Sequence, residues 1–194
     1  MNLSGSVAIA APRERLWAAL NDPDVLARCI DGVEQLVRTD GDVPSFDGTL
    51  NARVGPVRAK FAGQVRLEDI VAPERYRLVG EGKGGVAGFA KGAADVRLTS
   101  LDAGNTRLDY VVDAQVGGKL AQLGARLIEG TAKAYAEHFF AALKTHVEGA
   151  DEAAPPPEPA APAATTPGMS PLLWGGGLML LVLLFLGWQW LAGP

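Results

Sequence analysis

The hydrophobic period of the chain changes twice. "LSGSVAIAA" (residues 3–11) alternates weakly and predicts a strand, and "PRERLWAALNDPDVLARCI" (12–30) then places Leu16, Trp17 and Leu20 on a helical stripe. Pro12 and Pro23 each sit where a first helical turn accepts proline, and Asp22 is a fitting N-cap, so two short helices are expected. From Val33 to Val116 the period is two. "FDGTLNARV" carries Phe46, Leu50, Ala52 and Val54 near one face, and "VRAKFAGQVRLED" sets Val57, Ala59, Phe61, Val65 and Leu67 against Arg58, Lys60, Gln64, Arg66 and Glu68. "TRLDYVVDAQV" turns Leu108, Tyr110, Val112, Ala114 and Val116 inward. Gly55-Pro56, Ala72-Pro73 and Ala103-Gly104-Asn105 punctuate these runs, which predicts an antiparallel meander.

The period returns to helical over "GKLAQLGARLIEGTAKAYAEHFFAALKTHV" (118–147), where Leu120, Leu123, Leu127, Thr131, Ala134, Tyr135 and His138 recur at three- and four-residue steps. One long helix against one strongly curved sheet is an α+β arrangement, and a single helix tends to leave an apolar hollow on the concave side. The inward positions include Gly48, Ala52, Ala59, Gly63, Ala94 and Ala114, which fit a hollow interior or, alternatively, a tight core.

Beyond this domain, assigned to residues 1–149, composition changes twice more. "GADEAAPPPEPAAPAATTPGMSP" offers almost nothing to bury, so 150–170 is expected to be a disordered Pro/Ala-rich tether. "LLWGGGLMLLVLLFLGWQWL" (172–191) has no charged side chain, and about 20 residues at ~1.5 Å each match the ~30 Å hydrocarbon core of a bilayer. Trp174 near one end and Trp188 and Trp190 near the other suit the two interfaces, so a transmembrane tail anchor is expected over 171–192. The N-terminus has no basic stretch and too short an apolar one for a signal peptide. The expectation is a single-pass protein of the cytoplasmic membrane with its soluble domain facing the cytoplasm.

Charge and chemistry narrow the function by exclusion. A formal charge of −4, with both signs interspersed, gives no nucleic-acid footprint. The single cysteine, Cys29, permits no internal disulfide and reads as a small buried hydrophobe. Gly80, Gly82 and Gly85 match a dinucleotide-type spacing, but "VAGFAKGAADVRLTS" after them reads as loop and strand rather than the required helix, which leaves a flexible connection. His138 and His146 lie eight apart on one helix without further ligands at metal spacing, and the adjacent Glu68 and Asp69 point to opposite strand faces. No covalent cofactor, metal site or catalytic residue is expected.

The stretches "APRERLWAALNDPDVLARCIDGVEQL", "VGPVRAKFAGQVRLEDIVAPERYRLVGEGKG" and "GNTRLDYVVDAQVGGKLAQLGARLIEGTAKAYAEHFF" resemble the CoxG family of carbon monoxide dehydrogenase subunits, within the START-like (SRPBCC) superfamily of helix-grip domains. "VGPV" and "GKLAQLGARLIEGTAK" carry most of that likeness, while the family's usual Cys-Ile-Pro-Gly is Cys29-Ile30-Asp31-Gly32 here. The resemblance implies a curved antiparallel sheet gripping the C-terminal helix, a lipophilic pocket, and a role beside a molybdenum-containing carbon monoxide dehydrogenase or related hydroxylase at the membrane. On that reading the protein is a non-enzymatic adaptor that recruits the hydroxylase and binds membrane lipid or a quinone. The expected pocket residues are Phe46, Leu50, Phe61, Val65, Phe89, Tyr110, Val112, Leu123 and Leu127, each of which also fits plain core packing. The rivals are a cyclase-like enzyme, for which Tyr110, Tyr135 and His138 are the available polar set, and a pure anchor with a filled core.

Overall fold

Asp22 caps a helix as its position before Pro23 predicts: its Oδ1 accepts from the backbone N–H groups of Asp24 at 2.8 Å and Val25 at 3.4 Å. The computed structural model describes residues 1–149; the expected tether (150–170) and membrane span (171–192) lie outside the described residues. Strand β1 (Asn2–Ile9) leads into helices α1 (Arg13–Leu20) and α2 (Pro23–Cys29). Six further strands follow: β2 (Val33–Thr39), β3 (Ser45–Val54), β4 (Val57–Val71), β5 (Arg75–Lys83), β6 (Phe89–Ser100) and β7 (Thr106–Gly117). Helix α3 (Ala125–Gly149) closes the domain. All pairings are antiparallel in the order β1-β7-β6-β5-β4-β3-β2, so the predicted meander is present and β1 returns to pair with the last strand. Strand β4 bends where Asp69 takes a φ of 51° and the register slips between Glu68 and Val71. Among the described residues no helix is long and apolar enough to cross a membrane.

The main core lies at one end of the concave face. Ile9, Leu16, Leu108, Leu143 and Val147 are almost fully buried there and join α1, the β1–β7 pair and the C-terminal half of α3. Each such aliphatic side chain is worth roughly 1.5–3 kcal/mol of burial, so this cluster fixes the helix to the sheet. The buried Thr106 hydroxyl donates to the Ala11 carbonyl at 2.8 Å and seals the corner between β1 and α1.

Helix α3 departs from its expectation in two ways. It begins at Ala125 rather than Gly118, because Gly118 and Gly124 adopt φ of +76° and +88° and break the backbone, leaving Leu120 at a turn and Leu123 in a single 3-10 turn. Its packing stripe is also rotated by one residue. Ile128, Ala132, Tyr135, Phe139, Leu143 and Val147 turn towards the domain, whereas Ala134, His138 and the 41 % exposed Leu127 turn outward. Alanines on every side of the helix blur the phase of the apolar pattern, and only the half bearing Leu143 and Val147 reaches the core.

Candidate functional site

Across the middle of the sheet the concave face is floored mostly by glycine and alanine, with larger residues only towards the ends of two rows. One row runs Phe46, Val65, Gly80, Gly92, Ala114 from β3 to β7, and the next runs Gly48, Gly63, Gly82, Ala90, Val116. Larger side chains stand around this floor: Val33, Leu36, Leu50, Phe61, Leu78 and Val112 from the sheet, with Ile30 from the segment after α2. The result is an apolar trough of about 440 Å³, within the range of small-molecule sites. Helix α3 lies on the same face, with Phe139 against the Leu26–Phe46–Leu67 cluster and the Tyr135 hydroxyl accepting from the Arg53 N–H at 3.1 Å. Yet α3 contributes no lining residue, so the hollow belongs to the sheet and remains open at its side.

Five of the expected pocket residues line the trough: Phe46, Leu50, Phe61, Val65 and Val112. Four do not. Phe89 pairs across from Lys83 and Gly117 on the outer face, where its ring covers Gly117 and is 44 % exposed, because it alternates with the inward-facing Ala90, Gly92 and Ala94 of its own strand. Tyr110 is consumed by packing, stacked on Phe140 at 4.9 Å with its hydroxyl filling the space beside Gly5. Leu123 packs into the end cluster of Phe61, Ala87 and Leu120, and Leu127 touches Gly55 on the outside. Gly80 and Gly82, read from sequence as part of a flexible connection, are strand residues of the floor. That local glycine density is the one sequence signal for the trough that periodicity passes over.

The electrostatics leave the trough without an obvious reactive group. By strand alternation Gln64, Glu81 and Lys91 extend their side chains to the opposite face, where the Gln64 amide donates to Asp47 at 3.0 Å. Tyr110, Tyr135 and His138 do not converge: Tyr110 is packed, Tyr135 holds the Arg53 backbone, and His138 Nδ1 meets Asp31 at 2.9 Å on the surface. Burial pushes the Cys29 thiol above its ordinary range, only partly offset by Arg28, which makes it a poor nucleophile. Burial likewise pushes the Tyr76 hydroxyl upward, beside the edge of Trp17 at 5.2 Å. Among the described residues no group of three or more His, Cys, Asp or Glu side chains is placed to hold a metal. What the arrangement can do is accommodate an apolar molecule by contact and exclusion of water.

Residues 5–148 match the family model that describes CoxG, a carbon monoxide dehydrogenase subunit. Among solved structures, a conserved protein from Geobacillus kaustophilus is 30 % identical, with 77 % of this chain and 97 % of that chain covered at a TM-score of 0.71. A START superfamily protein from Mycobacterium smegmatis is 16 % identical, with 77 % and 98 % covered and a TM-score of 0.58. The Zhui aromatase/cyclase from Streptomyces sp. R1128 is 16 % identical, with 76 % and 93 % covered and a TM-score of 0.57. The last two show a shared START-like fold alone. No curated protein matches the chain.

Proposed function

Because the chain belongs to the CoxG family of carbon monoxide dehydrogenase subunits, we propose that it is a non-catalytic membrane adaptor for a molybdenum-containing carbon monoxide dehydrogenase or a related hydroxylase, and that its trough carries a lipophilic quinone. The observation that carries the reading is the trough itself: a glycine- and alanine-floored apolar hollow whose lining offers contact surface and no acid–base pair. A hydroxylase of this kind withdraws electrons from its substrate and must pass them on. A quinone brought from the lipid phase to the enzyme accepts two electrons and two protons and returns as quinol. The charge-free stretch 172–191 supplies the anchor in this account, and tethering raises the effective concentration of the domain near the bilayer.

The test is fractionation of cells that contain carbon monoxide dehydrogenase together with this chain. The enzyme should sediment with membranes when the full chain is present and become soluble when residues 172–191 are removed. Gly82→Leu, which fills the trough, should leave the enzyme on the membrane and halt electron transfer to membrane quinone. Loss of neither would refute the adaptor, and continued electron transfer with Gly82→Leu would reduce the protein to an anchor. The cyclase reading lacks a convergent polar set, since Tyr110, Tyr135 and His138 all have structural partners elsewhere.

A further inference from the structure

The connections at the two ends of the sheet differ in charge. Counting two residues into each flanking element, the β3–β4, β5–β6 and β7–α3 connections carry Arg53, Arg58, Lys83, Lys119 and Arg126 and no carboxylate. The α2–β2 connection at the same end adds Arg28 with Asp31 and Glu34, of which Asp31 is engaged by His138 at 2.9 Å and Glu34 by Lys60, so the end keeps an excess of positive charge. The β2–β3, β4–β5 and β6–β7 connections at the other end mix signs, with Asp40, Asp42, Glu74 and Asp102 against Arg38, Arg75 and Arg107. The three basic connections meet in space. Leu127 of α3 lies against Gly55, the Leu120 N–H donates to the Ala87 carbonyl at 3.0 Å, and Gly118 is in backbone contact with Gly88. All five basic side chains are exposed; Lys83 has Glu81 at 3.7 Å, and Glu129 is the first carboxylate along α3.

Within this cationic collar stands an apolar tip. Val86, between Gly84-Gly85 and Gly88, is 85 % exposed, and Phe89 and Leu127 are also exposed. An apolar tip that can enter the acyl boundary, ringed by cations at headgroup level, has the chemistry of an anionic bilayer surface. We propose that this end of the domain docks on anionic lipid, with Val86 inserted and Arg53, Arg58, Lys83, Lys119 and Arg126 against the headgroups. An acidic protein surface would satisfy the cations but gives the protruding valine nothing to enter. The geometry adds a consequence. The trough is closed at this end by the smaller cluster of Phe61, Ala87 and Leu120 with partly buried neighbours such as Val57, Val116 and Leu123, the Phe61 ring lying against the Gly84 backbone, whereas the opposite end is sealed by the main core. Docking therefore sets the thinner closure against lipid. That consequence rests on the carrier reading, while the docking itself does not.

Residues 1–149 suit the test, since they hold their own cores and the Geobacillus kaustophilus structure, 97 % of which is matched, is such a domain by itself. Their partition is measured by flotation at low salt with phosphatidylcholine vesicles, with and without phosphatidylglycerol. Binding should require phosphatidylglycerol and weaken with added salt. Each lost positive charge should lower partition about fivefold, so Lys119→Gln with Arg126→Gln gives roughly a 25-fold loss. Val86→Asp should weaken binding in the same direction, while Arg75→Gln at the far end should not. Gly82→Leu should leave partition unchanged, so failure of the carrier reading and failure of the docking are told apart. Equal binding to both vesicle types, or indifference to these substitutions, would overturn the proposal. So would loss of hydroxylase binding by the Lys119 and Arg126 variants with vesicle partition intact, which would assign the surface to a protein.

Discussion

Replacing Gly82 by leucine places four carbon groups over the floor of the trough without disturbing the ladder beneath it. A Cβ at this position meets nothing closer than 3.9 Å, at the Ala62 carbonyl and Phe61 Cδ1. At about 0.8 kcal/mol per buried carbon group the full gain would be ~3 kcal/mol. The open side of the trough and the rotamer entropy of leucine reduce this to about 1–2 kcal/mol. For a domain of this size that raises the midpoint of thermal unfolding by roughly 2–8 °C. The same substitution removes the volume a ligand would use, so binding of a fluorescent lipophilic probe should fall at least tenfold. Gly63, directly across the ladder, is the contrasting position: a Cβ there lies 2.3 Å from the Glu81 carbonyl and 2.8 Å from Gly82 Cα. Gly63→Leu must therefore move backbone and should destabilise by about 1–3 kcal/mol. Urea and thermal unfolding of the two variants, alongside probe titration, separate the cases. If Gly82→Leu is destabilising by more than ~1 kcal/mol, the site is already filled and the reasoning fails.

Leu143→Ala should cost about 2–5 kcal/mol in chemical denaturation, because this side chain is fully buried where α3 joins the main core; a loss below ~1 kcal/mol would contradict that packing. Tyr135→Phe removes the acceptor for the Arg53 N–H and should cost about 0.5–1.5 kcal/mol, with faster amide exchange at Arg53 as the local readout. Cys29 and Tyr76 both have their acid forms favoured in the folded domain, so the stability they confer is present below the unfolded-state values of about 8.5 and 10 and declines as pH rises beyond them. Folded protein at pH 8 should accordingly alkylate at Cys29 far more slowly than urea-unfolded protein, and equal rates would show the thiol to be accessible.

The strands were legible because alternation survives wherever one face packs and the other meets water: β4 shows Val57, Ala59, Phe61, Val65 and Leu67 on one side as its residues predict. Both short helices were legible from Pro12, Asp22 and Pro23. The failures have physical causes. Phe89 alternates with the inward Ala90, Gly92 and Ala94, but with only glycine and alanine at those inward positions β6 shows no hydrophobic period there, and its large aromatic ring is the one strong apolar signal on the wrong face. The phase of α3 was hidden by alanines on all sides and by a first half that contacts little of the core. Gly80 and Gly82 look like loop residues because a side-chain-free strand has no hydrophobic period, yet absence of side chains is what makes the trough. The basic end is composed of residues distant in sequence, from Arg53 to Arg126, and only the order of the strands brings them together.

The central claim, that the domain carries a lipophilic quinone, is tested most directly by native mass spectrometry and organic extraction of residues 1–149 after incubation with membrane lipids. The account predicts one quinone per domain, absent from Gly82→Leu. A wild-type domain that emerges empty, or one whose bound lipid is unaffected by Gly82→Leu, would contradict it.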